Sequence, residues 1–389
     1  MIYFIIFCII LFFAILDYDK KLNIKSRNYA FYILFFVFWL TAGLRYETGV
    51  DWRGYTGFFN DLDFKKIIWN ISHLRFYDQY EFGYILINVL VKAFSNNIQW
   101  LFLIIAFSTN LLLFSSIKEY SNHIFLSLLI YFGCIYFILD MSGIRQCISL
   151  NIFLYSLRFV DGNNFVKYLF AILAASLFHI TSLLLIPVFF IIKIKFRSWI
   201  LLLFVVLGVV ISISEIRWIM PFIEKISKIL GNEAISDKLY RYSIRGDTRI
   251  FGMGFILNLL IFIFCILERK KLSANKMYDI FLNLYLISIF FYYYTWELNE
   301  FSSRLRLYFF AGNIILFTFF FDVYKRSLNK FLVFLFIISF SIFYGRIYFF
   351  QLPEGLAYNP YQNYIVHKVF KLKSTGSERL DIFSSEWDK

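Results

Sequence analysis

Between Leu44 and Tyr55 the chain places two arginines, two carboxylates, two glycines and three aromatic rings directly after an apolar run. Arginine keeps its charge and presents a planar fork of donors, so several converging arginines clamp a diphosphate without needing a metal. Arg45 and Arg53 are candidates for that duty. Asp51, between them, is either a base that takes a proton from a hydroxyl or a structural salt-bridge partner. Trp52 and Tyr55 stand beside the charges, where aromatic faces contact sugars.

Further along, Arg145, His179, Arg304 and Arg306 lie within or at the edge of apolar runs. There an ionisable group costs about 2.5–3.5 kcal/mol on insertion scales, so each is a candidate functional group. Each also has a structural alternative. Arg304 pairs with Glu300 one helical turn earlier, Arg306 snorkels to the interface, and His179, among Ser176, Thr181 and Ser182, bonds a neighbouring helix. Arg145 has Asp140 as its nearest acid in sequence, and its polar neighbours Gln146, Ser149 and Asn151 suit a bundle interior as well as a groove. As a functional group, His179 binds phosphate or serves as a base. Tyr308 follows Arg304 by one turn on the same helix face. Nothing resembles a P-loop, a zinc signature or a nucleophile elbow, so no cofactor or metal is expected.

The elements that must position these residues are membrane helices. With 60% hydrophobic and 23% aromatic residues and only 4 prolines, the composition is not that of a soluble domain. Apolar runs cover 2–16, 28–44, 98–117, 123–139, 144–160, 165–192, 199–214, 250–267, 278–296, 306–322 and 331–350. They predict about ten to twelve transmembrane helices in an all-α polytopic protein. Without dyad alternation a barrel is excluded, and an open sheet would leave backbone groups unpaired in lipid. The first run lacks an n-region and a cleavage site and is expected to be a retained helix. The four cysteines show no metal-ligand spacing.

The net charge of +13 is not spread as nucleic-acid binding would need. Lys20, Lys21, Lys25 and Arg27, then Lys193, Lys195 and Arg197, then Arg269, Lys270, Lys271 and Lys276, then Lys325, Arg326 and Lys330 fill short loops, which the positive-inside rule makes cytoplasmic. Residues 45–97, 216–249, 297–304 and the tail 351–389 then face outward, while 1–350 forms one polytopic domain. The outward segments carry Arg75, Arg217, Arg241, Arg245 and Arg249 as well, and an anionic ligand accounts for arginines where topology disfavours them. If 80–94 lies along the interface, Arg145 and His179 also face outward, and 165–192 is a broken or re-entrant pair bent near His179 and Pro187.

The loop with Arg45, Gly49, Asp51 and Tyr55 resembles the R-x(3)-G-x-D-x(3)-Y signature of the EpsG-like branch of Wzy-type O-antigen and exopolysaccharide polymerases. Glu81-Phe82-Gly83-Tyr84, Gly143-Ile144-Arg145-Gln146, Phe178-His179-Ile180-Thr181-Ser182, Ser303-Arg304-Leu305-Arg306-Leu307-Tyr308-Phe309 and Asn359-Pro360-Tyr361 follow in the same order, so the resemblance covers about 45–365. It implies a glycosyltransferase with a GT-C-like helical bundle in the bacterial inner membrane, its site facing outward and residues 52–94 forming membrane-lying amphipathic helices. The implied reaction joins undecaprenyl-diphosphate-linked oligosaccharide repeats and releases undecaprenyl diphosphate. Arg45, Arg53, Arg145, Arg304 and Arg306 would hold the diphosphate, Trp52, Tyr55, Glu81, Tyr308 and Tyr361 the sugars, and Asp51 or His179 would be the base. The implied partners are membrane lipid, a flippase and a chain-length regulator, with no nucleic acid. A lipid-linked oligosaccharide flippase or transporter, or an O-antigen ligase-type transferase, would also need a basic cavity, but a transporter's internal repeats are not evident.

Overall fold

The computed structural model describes residues 2–63, 80–222, 225, 252–324, 327–350 and 355–387. Arg75, Arg241, Arg245 and Arg249 lie outside them, as do parts of the expected outward loops 45–97 and 216–249. The described chain is helical. In order come α1 (Ile2–Tyr18), α2 (Ile24–Gly43), α3 (Trp52–Asp61), α4 (Phe82–Phe94), α5 (Gln99–Tyr120), α6 (Ile124–Cys134), α7 (Ile144–Asp161) and α8 (Phe165–Ser176). They are followed by α9 (Ser198–Ile213), α10 (Met253–Leu267), α11 (Tyr278–Tyr293), α12 (Asn299–Phe310), α13 (Asn313–Val323), α14 (Ser327–Phe349) and α15 (Gly376–Trp387). Contacts divide the chain into two units, one of 1–186 with 326–389 and one of 187–325. Residues 355–387, expected as a tail after a single domain, pack into the first unit.

Several helices are apolar on every side. On α2 the buried face carries Phe31, Leu34 and Phe38, while Ile33, Phe36 and Leu40 are exposed. A helix greasy all round needs an apolar surrounding on its outer face too, as lipid provides. These helices are consistent with a membrane protein.

Among the described residues α5 and Leu328–Phe349 of α14 are long and apolar enough to cross a bilayer alone. Helices α12 and α13 pass the same test as a pair bent by 43°. The other apolar helices are 10–17 residues long. Three expectations therefore change. The run 123–139 is interrupted at Ile135, where φ is −125° and ψ −41°. The run 306–322 starts earlier, at Asn299, and breaks at Ala311–Gly312. Residues 297–304, expected as a loop, are helical from Trp296 onward. Hydropathy averages over such breaks because the residues at them are themselves apolar or small.

In the first unit α2 packs on α5, α5 on α7, α7 on α8, and α6 on both α1 and α14. Asn23 and Asn164 start α2 and α8 by accepting from the Ser26 and Lys167 amides at 2.8 and 3.0 Å. These starts lie at one end of the unit. There Arg27 donates to the Asn122 carbonyl and pairs with Asp17 at 3.1 Å. At the opposite end Gln99 Nε2 donates to the carbonyls of Gly43 and Arg45, and Ser142 meets the loop after α2.

Helix α4 has both of its ends at that second end. Its start hydrogen-bonds the break after α8, with Gly83 N donating to Leu177 O at 2.7 Å. Lys92, in its last turn, donates to the Phe59 carbonyl of α3 at 2.9 Å. It therefore does not traverse the bundle. Ser176 ends α8, and a 3₁₀ helix runs from Ile180 to Leu185, so the expected break near His179 is present.

Candidate functional site

Four chain segments meet where α4 starts. Gly83 permits this meeting, because a Cβ there would stand 2.7 Å from the Leu177 carbonyl oxygen. The close approach carries Glu81, at the N-cap position of α4, to His179, at the N-cap position of the 3₁₀ helix. Glu81 Oε1 lies 3.2 Å from His179 Nδ1 and accepts from the Ile180 amide at 3.4 Å. Its other oxygen, Oε2, accepts from Arg145 Nη1 at 2.5 Å. One carboxylate thus ties an arginine from the start of α7 to a histidine from the break after α8.

Burial alone would raise the Glu81 pKa, but the His179 hydrogen bond and the Arg145 charge outweigh it and hold the carboxyl at about 2. The side chains of Arg145, Glu81 and His179 are 27, 15 and 14% exposed, so the cluster is largely enclosed. The Arg145 guanidinium also lies over the Tyr80 ring, 4.8 Å from its centroid. The Tyr55 hydroxyl, buried beneath α3 and near Asp51, is pushed well above its ordinary pKa. The Asp51 charge also raises the Tyr55 and Tyr80 pKa values, against the opposing effect of Arg145.

The loop between α2 and α3 is fastened to the rest of the unit by its own backbone. Gly49 has φ +103°, and a Cβ would lie 2.0 Å from Met141 O, so only glycine fits. Gly49 N donates to Ala357 O at 2.8 Å, Val50 N to Ser142 Oγ at 2.8 Å, and Ser142 Oγ meets Tyr358 OH at 2.8 Å. Tyr46 N and Tyr364 N add bonds to Gln362 O and Leu44 O, both at 2.8 Å. The loop delivers Asp51, exposed, to the start of α3.

The other expected residues are placed as follows. Arg45 is 1% exposed, its Nη1 donating to Ala42 O at 2.6 Å and its guanidinium 4.2 Å from the Phe102 centroid. Its Nε and Nη2 are buried without a hydrogen bond. Arg53 is held by α15, with Nη1 2.8 Å from Asp381 Oδ1 and Nη2 3.0 Å from Ser377 O. Trp52 is buried, and Tyr361 OH donates to Thr41 O at 3.0 Å. Arg304, Arg306 and Tyr308 belong to the second unit. There Arg304 is exposed, Arg306 lies 4.9 Å from the Tyr292 centroid, and Tyr308 is buried. The side chain of Glu300 lies outside the described ones, and with it the expected Arg304–Glu300 pair.

The acid bonded to Arg145 is Glu81, not its sequence neighbour Asp140. Asp140 accepts from Tyr131 OH at 2.5 Å, and burial, only partly offset by that bond, raises its pKa to about 6. Sequence reasoning passed over Tyr80, Ser142, Tyr358 and Arg379. Of these only Tyr80, adjoining Glu81-Phe82-Gly83-Tyr84, carried a local signal.

An all-helical chain with greasy outer faces and an enclosed carboxylate–arginine–histidine cluster at one end is consistent with a multi-pass membrane protein bearing a polar site. The chain belongs to the EpsG family, whose model matches residues 28–363. That membership suggests a polysaccharide polymerase-type function. No curated protein and no solved structure matches the chain.

Proposed function

We propose that the protein is a glycosyltransferase of the bacterial inner membrane that joins undecaprenyl-diphosphate-linked oligosaccharide repeats on the outer face. The observation that carries this reading is the meeting of Glu81, Arg145 and His179, drawn from three separate segments of the family-matched region. In the reaction, a hydroxyl oxygen of the acceptor repeat attacks C1 of the reducing-end sugar of the growing chain. The C1–O bond to phosphate breaks, and its electron pair leaves with undecaprenyl diphosphate. The hydroxyl proton passes to His179 Nε2, since Nδ1 faces Glu81, which fixes the ring's orientation as second partners of catalytic histidines do. Arg145, anchored by Glu81 through Nη1, offers its other terminal nitrogen to the departing diphosphate, where charge develops. Asp51 and Tyr55 border the acceptor side.

The outward orientation is supported by the opposite placement of the basic residues around Lys20–Arg27. The purified protein in proteoliposomes, supplied with undecaprenyl-diphosphate-linked repeats, should yield a ladder of polymer and one free undecaprenyl diphosphate for each linkage formed. Translocation of the lipid-linked repeat without any ladder would instead mark a flippase, and transfer only to a non-polymeric acceptor a ligase.

A further inference from the structure

The family match ends at residue 363, yet the segment beyond it is bound to the loop between α2 and α3. Glu47 in that loop adopts φ +45°, a left-handed conformation that a residue with a Cβ rarely takes without support. The support comes from the last part of the chain. Arg379, 6% exposed, donates from Nη2 to Glu47 O at 3.3 Å and from Nη1 to Leu356 O at 3.1 Å, while its Nε reaches Thr375 Oγ1 at 3.1 Å. Ser374 Oγ donates to Glu47 Oε2. Thr375 N donates to Gln362 Oε1 at 3.3 Å. The start of α15 presses so closely on Glu47 that a Cβ at Gly376 would lie 2.3 Å from the Glu47 Cβ. Two residues along α15 from Arg379, Asp381 holds Arg53. One short helix therefore fixes the loop on both sides of Asp51.

We propose that α15 is a positioning element of the site, and that Arg379 is the residue through which it holds the loop carrying Gly49 and Asp51. Arg379 does not touch substrate. It acts by cross-linking the carbonyls of Glu47 and Leu356, the two strands of chain between which the Gly49 amide bond to Ala357 is made. Without it the left-handed turn at Glu47 relaxes and the Tyr46, Gly49 and Val50 amides lose their fixed partners. The link to catalysis rests on the polymerase reading above, whereas the link between α15 and the loop does not.

The test compares hydrogen exchange and turnover for the full-length protein in nanodiscs, as wild type, Arg379→Ala and Gly376→Ala. The second variant changes no charge and wedges α15 away from Glu47 by the Cβ contact alone. Exchange of the Tyr46, Gly49 and Val50 amides should rise at least tenfold in both variants while exchange in α5 and α7 stays unchanged. Turnover per monodisperse protein should fall at least tenfold. Unchanged exchange of these three amides in both variants would overturn the proposal, and so would loosened amides with wild-type turnover. If wild type itself makes no polymer, the polymerase reading fails alone, and the exchange comparison still decides whether α15 holds the loop.

Discussion

Glu81 is the residue whose role changes most between sequence and structure. Its motif marked it as a sugar contact, but both its oxygens are occupied by Arg145, His179 and the Ile180 amide. The pairing spans 64 residues to Arg145 and 98 to His179, distances at which spacing carries no information. The individual residues were legible because each is an ionisable group in apolar surroundings. Their grouping was not, since it depends on how α4 docks. Two expectations follow at this scale. If His179 takes the acceptor proton, His179→Gln should lower turnover by at least a hundredfold, in keeping with the usual contribution of about 10²–10⁴ from a general base. Asp51→Asn should cost much less, and the opposite order, in steady-state rates with a saturating lipid-linked acceptor, would transfer the role to Asp51. The second expectation concerns acid. The folded-state pKa of Glu81 is depressed to about 2 from an ordinary 4.5, so folding binds fewer protons between those values. Its contribution to stability is full above about pH 4.5 and is lost as pH falls towards 2. Thermal unfolding in detergent should show a loss of stability through that window that is smaller in Glu81→Gln than in wild type.

At the scale of elements, the site exists because α4 lies across one end of the first unit instead of crossing it. The short apolar run 80–94 left two possibilities at the sequence level, a span or an interfacial helix. The contacts of its two ends with Leu177 and Phe59 decide for a helix that does not traverse. The same contacts put Arg145 and His179 at the end of the unit that holds the α2–α3 loop. The hinge of this arrangement is Gly83. A methyl group there meets the Leu177 carbonyl oxygen at 2.7 Å, a backbone atom that a rotamer change cannot clear. Gly83→Ala should therefore shift α4, at the cost of about 1–3 kcal/mol that overpacking usually brings. Because Glu81 moves with α4, the variant should lose polymerising activity even in the fraction that remains folded. Wild-type turnover per folded molecule in Gly83→Ala would show that the Glu81–His179 contact is dispensable. What hydropathy missed at this scale were interruptions: the breaks at Ile135 and at Ala311–Gly312 fall within uninterrupted apolar sequence. A helix break in lipid is made by tertiary packing that satisfies the freed backbone groups, and composition does not record it.

At the scale of the whole molecule, contacts within each unit bring basic loops together. In the first unit Arg27 joins the loop after α1 to that after α5 through Asn122. In the second, Arg269 Nη1 donates to Ser198 Oγ at 2.9 Å, and Arg269 Nη2 to the Phe196 carbonyl, so the basic stretches 193–197 and 269–276 share one end of that unit. Such grouping is what a membrane-oriented chain requires, because lysines and arginines are retained on the cytoplasmic side. It leads to a labelling experiment in a cysteine-free background, where Cys8, Cys134, Cys147 and Cys265 have first been replaced. Gly57 on α3 is a suitable outward position, since a side chain added there meets nothing within 4 Å. Ser273, exposed after the Arg269–Leu272 turn, is the inward one. An impermeant maleimide added to intact spheroplasts should modify Gly57→Cys and leave Ser273→Cys unmodified until the membrane is opened. The reverse pattern would place the Glu81–Arg145–His179 cluster in the cytoplasm, where polymerisation on the outer face is impossible. Labelling of both sites from outside would contradict the cytoplasmic placement of the Arg269–Lys276 loop.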